Sequence, residues 1–348
     1  MTLAQIRAID YYVPEAVLDN EELARLYSGW SPQSIENKLG IHSRRIAAPD
    51  ETAVDMAVKA GEKLLARGIC QPDEIDFVIL CTQSPDHFLP TSSCLLQDRL
   101  GIPTACGAFD INLGCSGYVY GLSIAKGLIE TDQAKRILFI TSETYSKYIH
   151  ELDRATRPLF GDAAAATLIT AASETTETAG SGSQIGPFVF GTDGAGSDLL
   201  VVPAGAHRTP LSPETSVEKT GVRGGVRSDE NLYMNGPAIF SFSLETVPMV
   251  VNALLEKSGL EKDDIDLFVF HQANKFMLDR LRRECDIDPD RFVIEMSEVA
   301  NTVSSTIPIA LVETQKKGGL KPGSRLMLVG FGVGLSWGAV IVTIPEAI

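Results

Sequence analysis

A cysteine set among small residues, Gly114-Cys115-Ser116-Gly117, follows the apolar run Ala108-Phe109-Asp110-Ile111-Asn112 and precedes a helical pattern from Tyr118 to Glu130. Cys115 therefore sits at a strand-to-helix turn. Small neighbours permit a tight bend that projects the sulfur, and the positive end of the helix dipole favours thiolate. Taken alone, such a residue is as readily an inert buried thiol. A nucleophilic cysteine also needs a base or an electrostatic partner, and His271 ends the apolar run Leu267 to Phe270 in Phe270-His271-Gln272-Ala273-Asn274. Carboxyl ends of strands are where α/β sites assemble. Asn301, within Val299-Ala300-Asn301-Thr302-Val303-Ser304-Ser305, holds in the second half a place comparable to that of Cys115 in the first; by itself it reads as a turn or cap residue. The glycine-rich run Gly330-Phe331-Gly332-Val333-Gly334 before Ser336-Trp337-Gly338 is able to aim backbone N–H groups at an oxyanion. His42, His87, His150 and His207 lie in polar loop surroundings and read as solvated.

The elements that must position these residues follow from hydrophobic periodicity. Short β-branched runs at 75–81, 136–141, 164–170, 265–270, 325–329 and 339–344 alternate with helical patterns, which predicts an α/β protein with buried strands. An internal repeat refines this. Leu65 and Leu255 each lie ten positions before the isoleucine of a matching segment, Asp73-Glu74-Ile75-Asp76-Phe77-Val78-Ile79 and Asp263-Asp264-Ile265-Asp266-Leu267-Phe268-Val269. Each unit is followed by a second helix with Asp-Arg-Leu, at 98–100 and 279–281. Matched elements in the same order predict a duplication: an N-terminal half, 1–172, with the cysteine, and a C-terminal half, 173–348, with the histidine and asparagine, joined near 172–186. Between them in function, residues 203–233 lapse into Pro, Gly, Ser and scattered charge and read as an irregular cap loop.

The 348 residues carry 30 Lys plus Arg against 45 Asp plus Glu, a net charge of -15 that argues against nucleic acid or anionic membranes as partners. An acidic partner requires a local basic patch, and the best is Lys275, Arg280, Arg282 and Arg283, with Arg280 and Arg283 on one helical face. Six cysteines show no C-x-x-C pair and no zinc-like Cys/His spacing, so neither a disulfide framework nor a metal site is indicated. Arg7 and Asp10 interrupt the first apolar stretch, and no later stretch offers 18 uncharged apolar residues, so the expectation is a soluble cytoplasmic protein.

These residues resemble the β-ketoacyl-ACP synthase III family of the thiolase superfamily. The resemblance rests on Gly40-Ile41 with Arg44-Arg45-Ile46-Ala47-Ala48-Pro49, on 109–121, on Asp153-Arg154-Ala155-Thr156 before Phe160-Gly161-Asp162, on His271-Gln272-Ala273-Asn274, on Ala300-Asn301-Thr302 and on 331–338. It implies a duplicated five-layered α-β-α-β-α thiolase fold, a homodimer, a catalytic set of Cys115, His271 and Asn301, and oxyanion donors from the backbone of Cys115 and Val333. It implies no cofactor, with CoA and phosphopantetheine thioesters as substrates. The implied reaction acylates Cys115 from acyl-CoA and condenses the acyl group with malonyl-ACP or malonyl-CoA. The alternative is transfer of the acyl group to a non-malonyl acceptor. A non-catalytic subunit of this fold would usually have lost the Cys or His, and both are present.

By the same resemblance Arg154, Phe160, Asn274 and Trp30 contact substrate, Trp30 lying near but out of register with the family tryptophan. From the basic patch rather than the resemblance, Arg280 and Arg283 are expected to dock an acidic carrier protein. Departures are instructive: Phe276 stands where many members have Arg, Pro237 where they have Asn, and Ala300 and Val303 flank Asn301-Thr302 in place of Gly and Ser. Leu89 replaces a bulky Phe that reaches into the partner's acyl pocket, which implies a starter group larger than acetyl.

Overall fold

A computed structural model of the chain describes residues 2–173, 184–221, 224–344 and 348. The expected junction near 172–186 falls largely outside the described residues. The first sheet contains β1 (Thr2–Tyr12), β2 (Phe77–Cys81), β3 (Gly107–Ile111), β4 (Arg136–Glu143) and β5 (Ala163–Ser173), in the order β1-β5-β4-β2-β3. The second contains β6 (Ile185–Thr192), β7 (Leu267–Phe270), β8 (Arg325–Gly332) and β9 (Ser336–Thr343), in the order β7-β8-β9-β6.

The duplication read from the sequence is visible in these orders. β2 runs parallel to β4, which is antiparallel to β5, itself antiparallel to β1; β7 runs parallel to β8, which is antiparallel to β9, itself antiparallel to β6. The counterpart of edge strand β3 shrinks in the second half to a single parallel bridge between Phe268 and Phe292. The repeated aspartates explain why the segments recur. Asp76 accepts the Lys135 and Arg136 N–H groups at 2.8 and 3.1 Å, and Asp266 accepts the Arg325 N–H at 2.7 Å. Each carboxylate thus starts the ladder to the next central strand and fixes its register.

Five layers result. Helices α1 (Ala53–Leu65) and α2 (Ser92–Arg99) cover the outer face of the first sheet. Helices α3 (Gly117–Glu130) and α6 (Thr306–Lys316) lie between the sheets and touch both. Helix α4 (Gly236–Ser258) covers the outer face of the second sheet, with α5 (Lys275–Glu284) packed on it. Covered on both sides, the central strands are apolar runs, such as Phe77-Val78-Ile79-Leu80-Cys81. Among the described residues α4 alone has the length and composition to cross a bilayer, but its Val247, Val250, Val251 and Leu254 are buried against the second sheet, as in a core helix. The described residues of the cap, 203–221 and 224–233, are largely irregular, with Lys219–Thr220 paired to Val226–Arg227.

The end of β8 approaches the turn before α3 so closely that side chains are excluded. A Cβ at Gly330 would lie 2.8 Å from the Cys115 carbonyl oxygen and 2.8 Å from the Ser116 Cα, backbone atoms that cannot rotate aside. We therefore expect Gly330→Ala to cost about 1–3 kcal/mol by overpacking, measured by denaturant unfolding, and to slow acylation of Cys115. A variant with unchanged stability would show that the two halves do not meet this tightly.

Candidate active site

Cys115 is buried, 5% exposed, two residues before α3. Its turn is possible because Gly117 and Gly114 leave room: a Cβ at Gly117 would lie 2.3 Å from Cys81 Sγ, and one at Gly114 2.6 Å from Gln83 Oε1. Gly332, with φ of 157°, passes so near that a Cβ there would lie 2.8 Å from Cys115 Sγ. The Val333 N–H and the N–H of Cys115 itself both reach the sulfur. Those are the two donors expected for an oxyanion, and they meet at the atom to which an acyl carbonyl would be bonded.

The pull of the helix N-terminus toward thiolate is opposed by burial. Burial pushes the Cys115 thiol up to about 12, outweighing the lowering by the two N–H groups, and Glu143 adds to the rise. A helix N-terminus contributes at most ~2 kcal/mol, about 1.5 pH units, and here it is outweighed. His271, 2% exposed, is held well below its ordinary value, at about 3, also by burial. At neutral pH the pair is therefore an uncharged thiol and an uncharged imidazole. The ring packs edge-on against Phe331 at 5.6 Å, and its Nδ1 lies 2.7 Å from the Thr306 hydroxyl.

Asn301 is fixed by its own backbone and by its side chain. Its N–H donates to the Leu159 carbonyl at 3.0 Å, and its carbonyl accepts the Gly161 N–H at 3.0 Å, which bridges it to Phe160. The Val303 N–H occupies Asn301 Oδ1 at 2.9 Å, which leaves the amide NH2 to donate. This arrangement bends the chain hard: Ala300 and Val303 have φ of 62° and 56°, a region unfavourable to a β-branched side chain. Such strain persists where surrounding contacts over-determine it.

Cys115, His271 and Asn301 all line one cavity of about 1120 Å³. Phe160, Asn274, Arg154 and Trp30 line it too; Asn274 also caps α5 by accepting the Met277 N–H at 2.9 Å. Arg154 lies over the Tyr27 ring at 5.6 Å, and Trp30 meets that ring edge-on. Leu89 is not in the cavity of its own chain: it is 82% exposed beside Phe88 on the loop between β2 and α2. Arg280 and Arg283 lie on α5 outside the lining, and Arg280 is ion-paired with Glu284 at 2.8 Å.

Several residues were not singled out from the sequence. Lys38 and Arg227 join Arg154 around the cavity; Phe276, noted above as a departure from the family pattern, stacks on Phe240 at 5.5 Å at its lining. Glu143 ends the apolar strand β4, where a lone acidic residue was a visible but unused signal. It is fully buried and accepts the Gln83 N–H on both oxygens, at 3.0 and 3.1 Å, and the Ser84 hydroxyl at 2.9 Å. Burial still raises it from 4.5 to about 8, so it is predominantly a neutral acid at pH 7.

Comparison with known proteins places this geometry among relatives. The family described as 3-Oxoacyl-[acyl-carrier-protein (ACP)] synthase III matches residues 109–194, and its C-terminal counterpart matches residues 255–344. The chain is 37% identical over 335 residues, 96% of each chain, to the beta-ketoacyl-[acyl-carrier-protein] synthase III of Symbiobacterium thermophilum. Among solved structures, a 3-oxoacyl-(acyl-carrier-protein) synthase III superposes with a TM-score of 0.95 at 52% identity, covering 98% of this chain and all of the other. A 3-oxoacyl-(acyl-carrier protein) synthase from Burkholderia xenovorans LB400 does so at 0.89 and 35%, covering 99% and 95%.

The buried carboxyl has a thermodynamic signature. Between 4.5 and about 8 the native Glu143 holds a proton that the unfolded chain has lost, so stability falls as pH rises through that window and the loss is complete above it. Glu143→Gln keeps a neutral group that can accept from Gln83 and Ser84. Its melting temperature relative to wild type should rise steadily between those pH values. A difference independent of pH would mean that Glu143 is charged in the native protein.

Proposed function

The chain belongs to the 3-oxoacyl-[acyl-carrier-protein] synthase III family of thiolase-fold condensing acyltransferases, and on that premise we propose that Cys115 is its acyl-carrying nucleophile and His271 and Asn301 its enolate-stabilising donors. The observation that carries the assignment is their convergence on one buried cavity, with Asn301 Oδ1 already occupied by the Val303 N–H.

In the first half-reaction Cys115 Sγ attacks the thioester carbonyl of an acyl-CoA. The oxyanion is held by the N–H groups of Cys115 and Val333, and the collapsing intermediate releases the CoA thiol, which takes the cysteine proton. A thioester replaces a thioester, so no activation is lost. In the second, a malonyl thioester loses carbon dioxide: the carbon–carbon bond to the carboxylate breaks, and its electron pair moves to an enolate whose oxygen is held by His271 Nε2–H and the Asn301 amide. The enolate carbon attacks the acyl carbon on Cys115, a new carbon–carbon bond forms as the carbon–sulfur bond breaks, and the expelled cysteine thiolate takes a proton from solvent. Both donors act where charge develops.

Lys38, Arg154 and Arg227, with Trp30, suit the phosphates and adenine of a CoA donor. The extender is malonyl-ACP, docked through Arg280 and Arg283, and exposed Leu89 trims a partner's pocket less than an aromatic ring would. We read the enzyme as a cytoplasmic homodimer in fatty acid biosynthesis with halves 1–172 and 173–348. Edge strand β3, half-buried along its whole length and paired only with β2, supports the dimer because a second copy can complete its ladder.

Intact mass spectrometry after incubation with acyl-CoA should give one acyl adduct on wild type and none on Cys115→Ala. His271→Ala and Asn301→Ala should still load, yet release carbon dioxide from malonyl thioester about 10²–10³-fold more slowly. An adduct on Cys115→Ala removes the nucleophile. A wild type that loads without ever decarboxylating malonyl thioesters transfers its acyl group elsewhere. Charge reversal at Arg280 and Arg283 should raise KM for malonyl-carrier, most at low salt, and leave acyl-CoA loading intact; unchanged KM would leave α5 as ordinary surface.

A further inference from the structure

A neutral imidazole has one N–H and one lone pair, and which nitrogen carries the proton decides what His271 can do. With Nε2–H facing the cavity it is a hydrogen-bond donor like the Asn301 amide; with a lone pair there it is an acceptor. The surroundings of Nδ1 therefore select the chemistry at Nε2.

Thr306 is the first residue of α6 and is 2% exposed. Its Oγ1 lies 2.7 Å from His271 Nδ1, and its hydroxyl is also placed to donate to the Val303 carbonyl at 3.0 Å, so the two compete for one proton. That carbonyl already accepts the Thr306 N–H, so it keeps a donor whichever way the hydroxyl turns. Nδ1 also faces the start of α6, where partial positive charge favours a lone pair over an N–H. Both circumstances direct the hydroxyl proton to Nδ1. The same short turn thus serves both groups, Val303 N–H orienting the Asn301 amide and Thr306 O–H orienting the histidine.

We propose that Thr306 is a positioning residue that donates its hydroxyl proton to His271 Nδ1 and thereby holds the Nε2–H tautomer that faces the enolate. The inference rests on the assignment of His271 as an enolate donor. The Val303 carbonyl, an acceptor, already reaches the ring beside the hydroxyl and is left without that competitor when the hydroxyl is removed. It would draw the proton to Nδ1 and turn a lone pair toward the cavity. Loss of the hydroxyl should therefore invert the tautomer rather than merely loosen the ring.

The test compares wild type, Thr306→Val and Thr306→Ser, each labelled with ¹⁵N-histidine, with His271→Ala assigning the His271 signals. Wild type and Thr306→Ser should show a protonated Nε2 and an unprotonated Nδ1, and Thr306→Val the reverse. Carbon dioxide release from malonyl-ACP should fall about 10²–10³-fold in Thr306→Val, as for loss of one oxyanion donor, mainly in kcat, and recover in Thr306→Ser. Acyl loading of Cys115, read by intact mass, should persist in all three and shows that the site is folded. A proton on Nδ1 in wild type overturns the proposal, as does a Thr306→Val enzyme that decarboxylates at the wild-type rate. If Thr306→Val does not fold, the wild-type spectrum alone decides. Should wild type release no carbon dioxide, the decarboxylation reading fails, while the tautomer still decides the role of Thr306.

Discussion

Removal from water governs the reactive centre. Cys115, His271 and Glu143 are all buried, and in each the cost of desolvating charge dominates: the thiol and the carboxylic acid are pushed up, the imidazole down. The resting site is therefore predominantly uncharged at neutral pH, with no thiolate–imidazolium pair. Hydrogen-bond donors acquire their greatest value in such a place, because an oxyanion or enolate formed there has fixed dipoles for its solvation.

A site that works by donors must hold them where charge appears, and the fold does so through close backbone packing between the two halves. β8 can reach the Cys115 turn because Gly330 and Gly332 carry no side chain to obstruct it. The turn from Ala300 to Val303 accepts unfavourable backbone angles while Leu159 and Gly161 grip both sides of Asn301. The first half contributes Cys115, and the second contributes the Val333 N–H, His271 and Asn301. Neither sheet alone makes the site, and α3 and α6 pack against both sheets.

Much of this was legible in the residues. Leu65 to Ile79 and Leu255 to Val269 disclosed the repeat because each aspartate clamp needs the same spacing to its strand, and Cys115 and His271 were marked by their positions at ends of apolar runs. The rest depends on approach in space. Thr306 looks like an ordinary helix start until His271 Nδ1 is found 2.7 Å away, and Lys38 and Arg227 come from segments far apart that only the cavity joins. The state of the Cys115 thiol was not legible for a quantitative reason: a helix N-terminus was visible in the pattern, whereas the depth of burial was not, and burial is the larger effect.

The central claim is that the decarboxylation step uses a neutral His271 as donor. Its most direct test is the pH dependence of kcat for carbon dioxide release from malonyl thioester by the acylated enzyme, from about pH 5 to about pH 7, the range in which an ordinary histidine titrates. With His271 held near 3, kcat should be level across that range. A titration near 6.5 that disappears in His271→Ala would contradict the account, because it would mean that the imidazole exchanges a proton with solvent in the working range.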